Sequence, residues 1–72
     1  MKLKEGWAII GNHGLYVGWH HTRREMIARH VADIEGISSV TFGQLTEDQT
    51  MAWHECRMRG DRAIKVSIHY VR

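Results

Sequence analysis

The stretch Trp7-Ala8-Ile9-Ile10-Gly11-Asn12-His13-Gly14-Leu15-Tyr16-Val17-Gly18-Trp19 decides the fold. Two short apolar runs, residues 7–10 and 15–19, flank a Gly-Asn-His-Gly segment whose residue types tolerate the positive φ of tight turns, so the stretch reads as a β-hairpin. A four-residue loop from Gly11 to Gly14 sets Ile10 opposite Leu15 and Ala8 opposite Val17. Because alternate strand side chains take opposite faces, Ala8, Ile10, Leu15, Val17 and Trp19 share one face. Trp7, Ile9, Tyr16, Gly18 and His20 share the other.

Beyond the hairpin, Thr22-Arg23-Arg24-Glu25 has the form of a capping box and Gly36 offers a left-handed stop, which predicts a helix over 23–35. Met26, Ile27, His30, Val31 and Ile34 lie on one face of it. A second box, Thr46-Glu47-Asp48-Gln49, and a second stop at Gly60 predict a helix over 47–59. Glu47 and Asp48 suit its positive end, Arg57 and Arg59 its negative end. Two sides of this helix are apolar. Trp and Cys are strongly buried types, so the side with Leu45, Ala52, Trp53 and Cys56 is expected inside, leaving Met51 and Met58 as an adaptable surface beside His54. Ile64, Val66, Ile68 and Tyr70 alternate with Lys65, Ser67 and His69, the pattern of a half-buried strand. Residues 37–42 read as an extended connection.

These elements imply a single α+β domain over 1–72, in the order ββααβ, with a three-stranded antiparallel sheet and two helices packed on one face. If the helices cover the face shared by Ala8, Ile10, Leu15, Ile64, Val66, Ile68 and Tyr70, then Trp7, Ile9 and Tyr16 point outward, rimmed by Lys65 and His69. An exposed patch of that kind is a partner-binding surface, for a second copy of the chain or another protein. A one-residue change in turn length would swap the faces and turn Trp7 and Ile9 inward. An alternative use is nucleic-acid binding, with Trp7 and Tyr16 stacking on bases while Lys65, Arg23 and Arg24 meet phosphates.

Arg23 and Arg24 stand on the first turn of a helix, where the macrodipole is already positive. With His20 and His21 they suggest an anion-binding corner for a phosphate or a partner's carboxylates. The plainer alternative is that both arginines stay solvated or lie over Trp19.

Composition bounds the rest. A chain of 72 residues, 43% hydrophobic, 25% charged and without proline, is a small globular domain. At this size only about 60% of the unfolded chain's surface is buried, so association would add core. No apolar run approaches the roughly 20 residues of a membrane span, and the single Cys56 cannot form an internal disulfide, so a cytoplasmic protein with no membrane partner is expected. A net charge of +2 is mild for a dedicated DNA-binding domain. No catalytic motif is present, and no enzyme activity or cofactor is expected. Cys56 and His54 stand two apart, on different sides of a helix. His20 and His21 with His69 form only a nonspecific metal constellation, so no metal is expected, and His30 reads as a core histidine bonded to a neighbour.

Thr22-Arg23-Arg24-Glu25, Trp53, Cys56 and Gly60-Asp61-Arg62 leading into the last strand together resemble compact proteins of phage and prophage origin. The resemblance implies no activity, only a phage-like accessory role such as binding a host protein.

Overall fold

The computed structural model describes residues 2–15 and 18–70, with the side chains of residues 2, 3 and 68–70 left aside. The elements are β1 (Lys2–Gly11), β2 (Gly14–Leu15), α1 (Arg23–Glu35), α2 (Glu47–Met58) and β3 (Arg62–Tyr70). The sheet is antiparallel, in the order β2-β1-β3. This is the expected α+β architecture, with the two helices on one side of a three-stranded sheet.

Local chemistry fixes both helix starts and the end of α1 where the sequence places them, while α2 stops at Met58 with Arg59 as its cap, one residue short of the expected 47–59. Thr22 Oγ1 accepts from the Glu25 amide at 3.2 Å, and Gly36 ends α1 in the left-handed region at φ 72°. At α2 both halves of the capping box form: Thr46 Oγ1 accepts from the Gln49 amide at 3.1 Å, and Gln49 Oε1 accepts from the Thr46 amide at 2.8 Å. Residues 37–41 form neither strand nor helix. Gln49, fully buried, holds that connection instead, its Nε2 donating to the carbonyls of Ser38 at 2.6 Å and Val40 at 2.9 Å.

The hairpin closes as expected, with Ile10 opposite Leu15 and Gly11 opposite Gly14. Its two arms differ in length from the prediction. β1 reaches back to Lys2 because β3 pairs along it from Ile10↔Arg62 to Lys2↔Tyr70. Among the described residues the returning arm pairs with β1 at Gly14 and Leu15 and again at Trp7↔His20, where both backbone bonds form. Val17, expected opposite Ala8, lies outside the described residues.

The expected assignment of faces to layers is reversed. Ile9 lies fully buried in one cluster with Met26, Ile27 and Val31 of α1 and Ala52, Trp53 and Cys56 of α2; Trp7 and Ala63 pack against that cluster. The helices therefore cover the Trp7 and Ile9 side. The partition itself agrees with the sequence: Trp7 stands beside Lys65 and His20, and Ala8 beside Ile64. What differs is the side that receives the helices. On β1 the Trp7 and Ile9 side is the more apolar, whereas on β3 Ile64 and Val66 lie on the other side, so apolar area alone does not choose the covered face.

Small residues on the other side have their own tenant. A Cβ on Gly6 would run into the Trp19 indole, which means that the ring lies flat against the glycine backbone. Ala8, on the same side, is buried outside the helix-side cluster. The Lys4 ammonium sits 5.1 Å from the centre of the indole, and the His21 ring meets it edge-on at 4.7 Å. Trp19 Nε1 is buried with no acceptor among the described residues.

Candidate functional site

Two candidate surfaces from the sequence can be placed. The first, Trp7, Ile9, Tyr16, Lys65 and His69, is not an exposed aromatic patch: Ile9 is core, Trp7 is half-buried against it, and both face the helices. Lys65 does neighbour Trp7, but at the open end of the helix-covered side, where its ammonium lies 3.6 Å from Glu5. Tyr16 and the His69 side chain lie outside the described residues. The second set, His20, His21, Arg23 and Arg24, lies just before and on the first turn of α1. His20 is half-buried at its bridge to Trp7, and His21, Arg23 and Arg24 are exposed. It is Lys4, not an arginine, that lies over Trp19.

The sheet face turned away from the helices presents a different surface. Ile10 and Leu15, directly opposed across the hairpin, are 37% and 62% exposed; on β3 the half-buried Ile64 and Val66 stand opposite Ala8 and Gly6, and the exposed Arg62 stands opposite Ile10. Trp19 lies over Gly6 on this face. The Cα envelope measures 39 × 29 × 16 Å, the shape of one sheet under one layer of helices. Its radius of gyration, 12.6 Å, exceeds the roughly 11 Å usual for a compact domain of this length.

A polar group lies at the other end of the core. His30 of α1 and Asp61, just before β3, are 4% and 3% exposed, and His30 Nε2 donates to Asp61 Oδ2 at 2.9 Å. Cys56 of α2, at 0% exposure, completes a set whose ligating atoms all lie within 4.8 Å of one another. The three residues come from three segments. Their placement follows from the helix stripes: His30 stands four after Met26 and three after Ile27, and Cys56 three after Trp53, so both face the helix interface. The ring of Trp53 meets His30 edge-on at 6.2 Å. The turn that ends α2 brings Asp61 back underneath, its amide donating to the Cys56 carbonyl at 3.0 Å.

Arg59 anchors this corner. Its Nη1 donates to Glu35 Oε1 at 3.0 Å and its Nη2 to Cys56 Sγ at 3.2 Å, tying α2 to the end of α1. Burial pushes the Cys56 thiol up from its ordinary range, and the Arg59 guanidinium opposes that only in part. The hairpin turn closes over the same place, with Asn12 Nδ2 donating to the Arg59 carbonyl at 2.9 Å. Asn12, His13, Arg59 and Asp61 line a cleft of about 250 Å³ above the polar group.

The sequence points to His30 as a bonded core histidine, and it is one. It gives no sign of Asp61, Arg59, Asn12 or His13 at this corner. The one available signal was Asp61 itself, a lone acid between a helix stop and a half-buried strand. Comparison with protein-family models, with curated proteins and with solved structures finds no match to this chain.

Proposed function

We propose that this chain is a small non-enzymatic binding module whose partner is a second copy of itself, engaged through the sheet face turned away from the helices. The observation that carries this reading is the exposed Ile10–Leu15 pair with the half-buried Ile64 and Val66, edged by Arg62, on a face over which no helix of the described residues lies. Two such faces packed together form a four-layer sandwich of helices, sheet, sheet and helices, with the sheets about 10 Å apart. A two-fold pairing needs a self-complementary patch, and an aliphatic patch is one. A net charge of +2 opposes association only weakly.

The non-enzymatic part rests on the burial of Cys56: a thiol with no exposed surface and a raised pKa is neither reachable nor activated as a nucleophile. The nucleic-acid reading has less support. Trp7 faces the helices, and the Trp19 ring is occupied by Gly6 on one side and approached by Lys4. The likeness to phage-type proteins fits an accessory role for such a module.

Sedimentation equilibrium across protein concentration tests the proposal. The native chain should shift from monomer to dimer mass, Leu15→Lys should stay monomeric, and Met51→Lys, on an exposed position of α2, should dimerise like the native chain. A native chain that is monomeric throughout, or a Leu15→Lys variant that dimerises equally well, contradicts it.

A further inference from the structure

We propose that His30, Cys56 and Asp61 form a buried site for a divalent zinc-type metal ion, with the cleft beside Asn12 and His13 supplying the fourth coordination position. The chemistry of the set is that of such an ion: one imidazole nitrogen, one thiolate and one carboxylate oxygen, which suits Zn²⁺ and its probe Co²⁺ and suits Mg²⁺ or Ca²⁺ poorly. Metal–ligand bonds of about 2.0–2.3 Å put tetrahedral ligand atoms roughly 3.3–3.8 Å apart. The three atoms already lie within 4.8 Å of one another, and His30 Nε2 and Asp61 Oδ2 are at 2.9 Å, so assembly needs only a small opening of that pair and a small closing of Cys56.

Charge and surroundings agree with this assignment. A neutral imidazole, a thiolate and a carboxylate neutralise a divalent cation, which is what a site of three almost fully buried ligands requires. Arg59 is placed to support the loaded state, because its Nη2–H donates to Cys56 Sγ, a bond that a metal-bound thiolate accepts, and Glu35 balances its charge. The cleft reaches Asp61 from solvent and gives the ion an entry path. Water entering by the cleft would take the fourth position. On binding, Cys56 releases its thiol proton, and His30 coordinates through Nε2 with its proton on Nδ1. A metal here would bind α1, α2 and the start of β3 together, in a chain short enough to benefit from such a staple.

Titration of the reduced full-length chain with Co²⁺ alone, followed by absorbance, provides the test. The expected result is saturation at one equivalent, with a sulfur-to-cobalt charge-transfer band and the intense visible bands of a four-coordinate ion, displaced by Zn²⁺. Cys56→Ser should lose the charge-transfer band, Asp61→Asn should bind at least about tenfold more weakly, and the exposed-site variants His21→Ala and His54→Ala should behave like the native chain. The decisive reading is made on the native protein, so it survives a variant that fails to fold. No uptake by the native chain, or uptake without a charge-transfer band that is lost in His21→Ala or His54→Ala, overturns the proposal.

Discussion

Gly6→Ala should destabilise this protein, although alanine is the better strand residue. Removing a glycine from a strand interior is worth about 0.5–1 kcal/mol in backbone entropy. Against that gain, the new methyl group would occupy the space now filled by the Trp19 indole. The ring must leave the surface of Gly6, at an overpacking cost of about 1–3 kcal/mol. The net loss is about 1 kcal/mol at the centre of these ranges and about 2.5 kcal/mol at most, a fall of roughly 4–20 °C in Tm for a domain of this size. Trp19→Ala supplies the internal control. In that background there is no ring to displace, so Gly6→Ala should become neutral or stabilising, and the double-mutant cycle should return a coupling of about 2 kcal/mol. Urea unfolding followed by far-UV circular dichroism, at one fixed protein concentration, measures all four chains. An equal loss from Gly6→Ala in both backgrounds would refute the placement of Trp19 on the outer face.

Three further outcomes follow from other contacts. Asp61→Ala removes the Oδ2 acceptor from His30 inside the core, and urea unfolding should show a loss of about 3 kcal/mol, whereas the exposed Asp33→Ala should cost under about 1 kcal/mol. Gln49→Ala deletes the side chain that binds Ser38, Val40 and Thr46, so it should cost about 2–3 kcal/mol and speed amide hydrogen exchange in the segment that follows α1 more than in β1. Cys56 has a pKa raised by burial above its ordinary 9.0, so the folded chain keeps the thiol proton that the unfolded chain releases. Its contribution is therefore fully present below pH 9.0 and declines as pH rises beyond it; denaturation series should show that decline in the metal-free native chain and a smaller one in Cys56→Ala.

The parts of this fold legible in the sequence are those set by neighbours along the chain. Thr22, Gly36 and Thr46, and the capping bonds of Gln49, act within three to five residues of themselves, so the helix ends could be placed from spacing to within a residue, whereas the reach of Gln49 to Ser38 and Val40 could not. The buried side of α2 was legible too, because Trp53 and Cys56 outweigh Met51 and Met58 as core formers. Alternation separated Trp7 and Ile9 from Ala8 and Ile64, but could not say which group meets the helices. Both faces of this sheet are apolar, and the outcome turns on Trp19 settling over Gly6, a contact between residues on different arms of the hairpin. The N-terminal half of β1 was hidden for a related reason: Lys2-Leu3-Lys4-Glu5 has little strand character of its own and is ordered by pairing with β3. The polar corner joins His30 to Asp61 across 31 residues, and no local pattern encodes that meeting.

Isotope-filtered NOE spectroscopy on a mixture of labelled and unlabelled chains tests the two-faced sheet most directly. The Ile9 methyl groups should show contacts only within one copy, to the Val31 and Trp53 cluster, while Ile10 and Leu15 should show contacts between copies. Intermolecular contacts from Ile9, or contacts from Ile10 to α1 and α2, would contradict the assignment of faces and the pairing built on it.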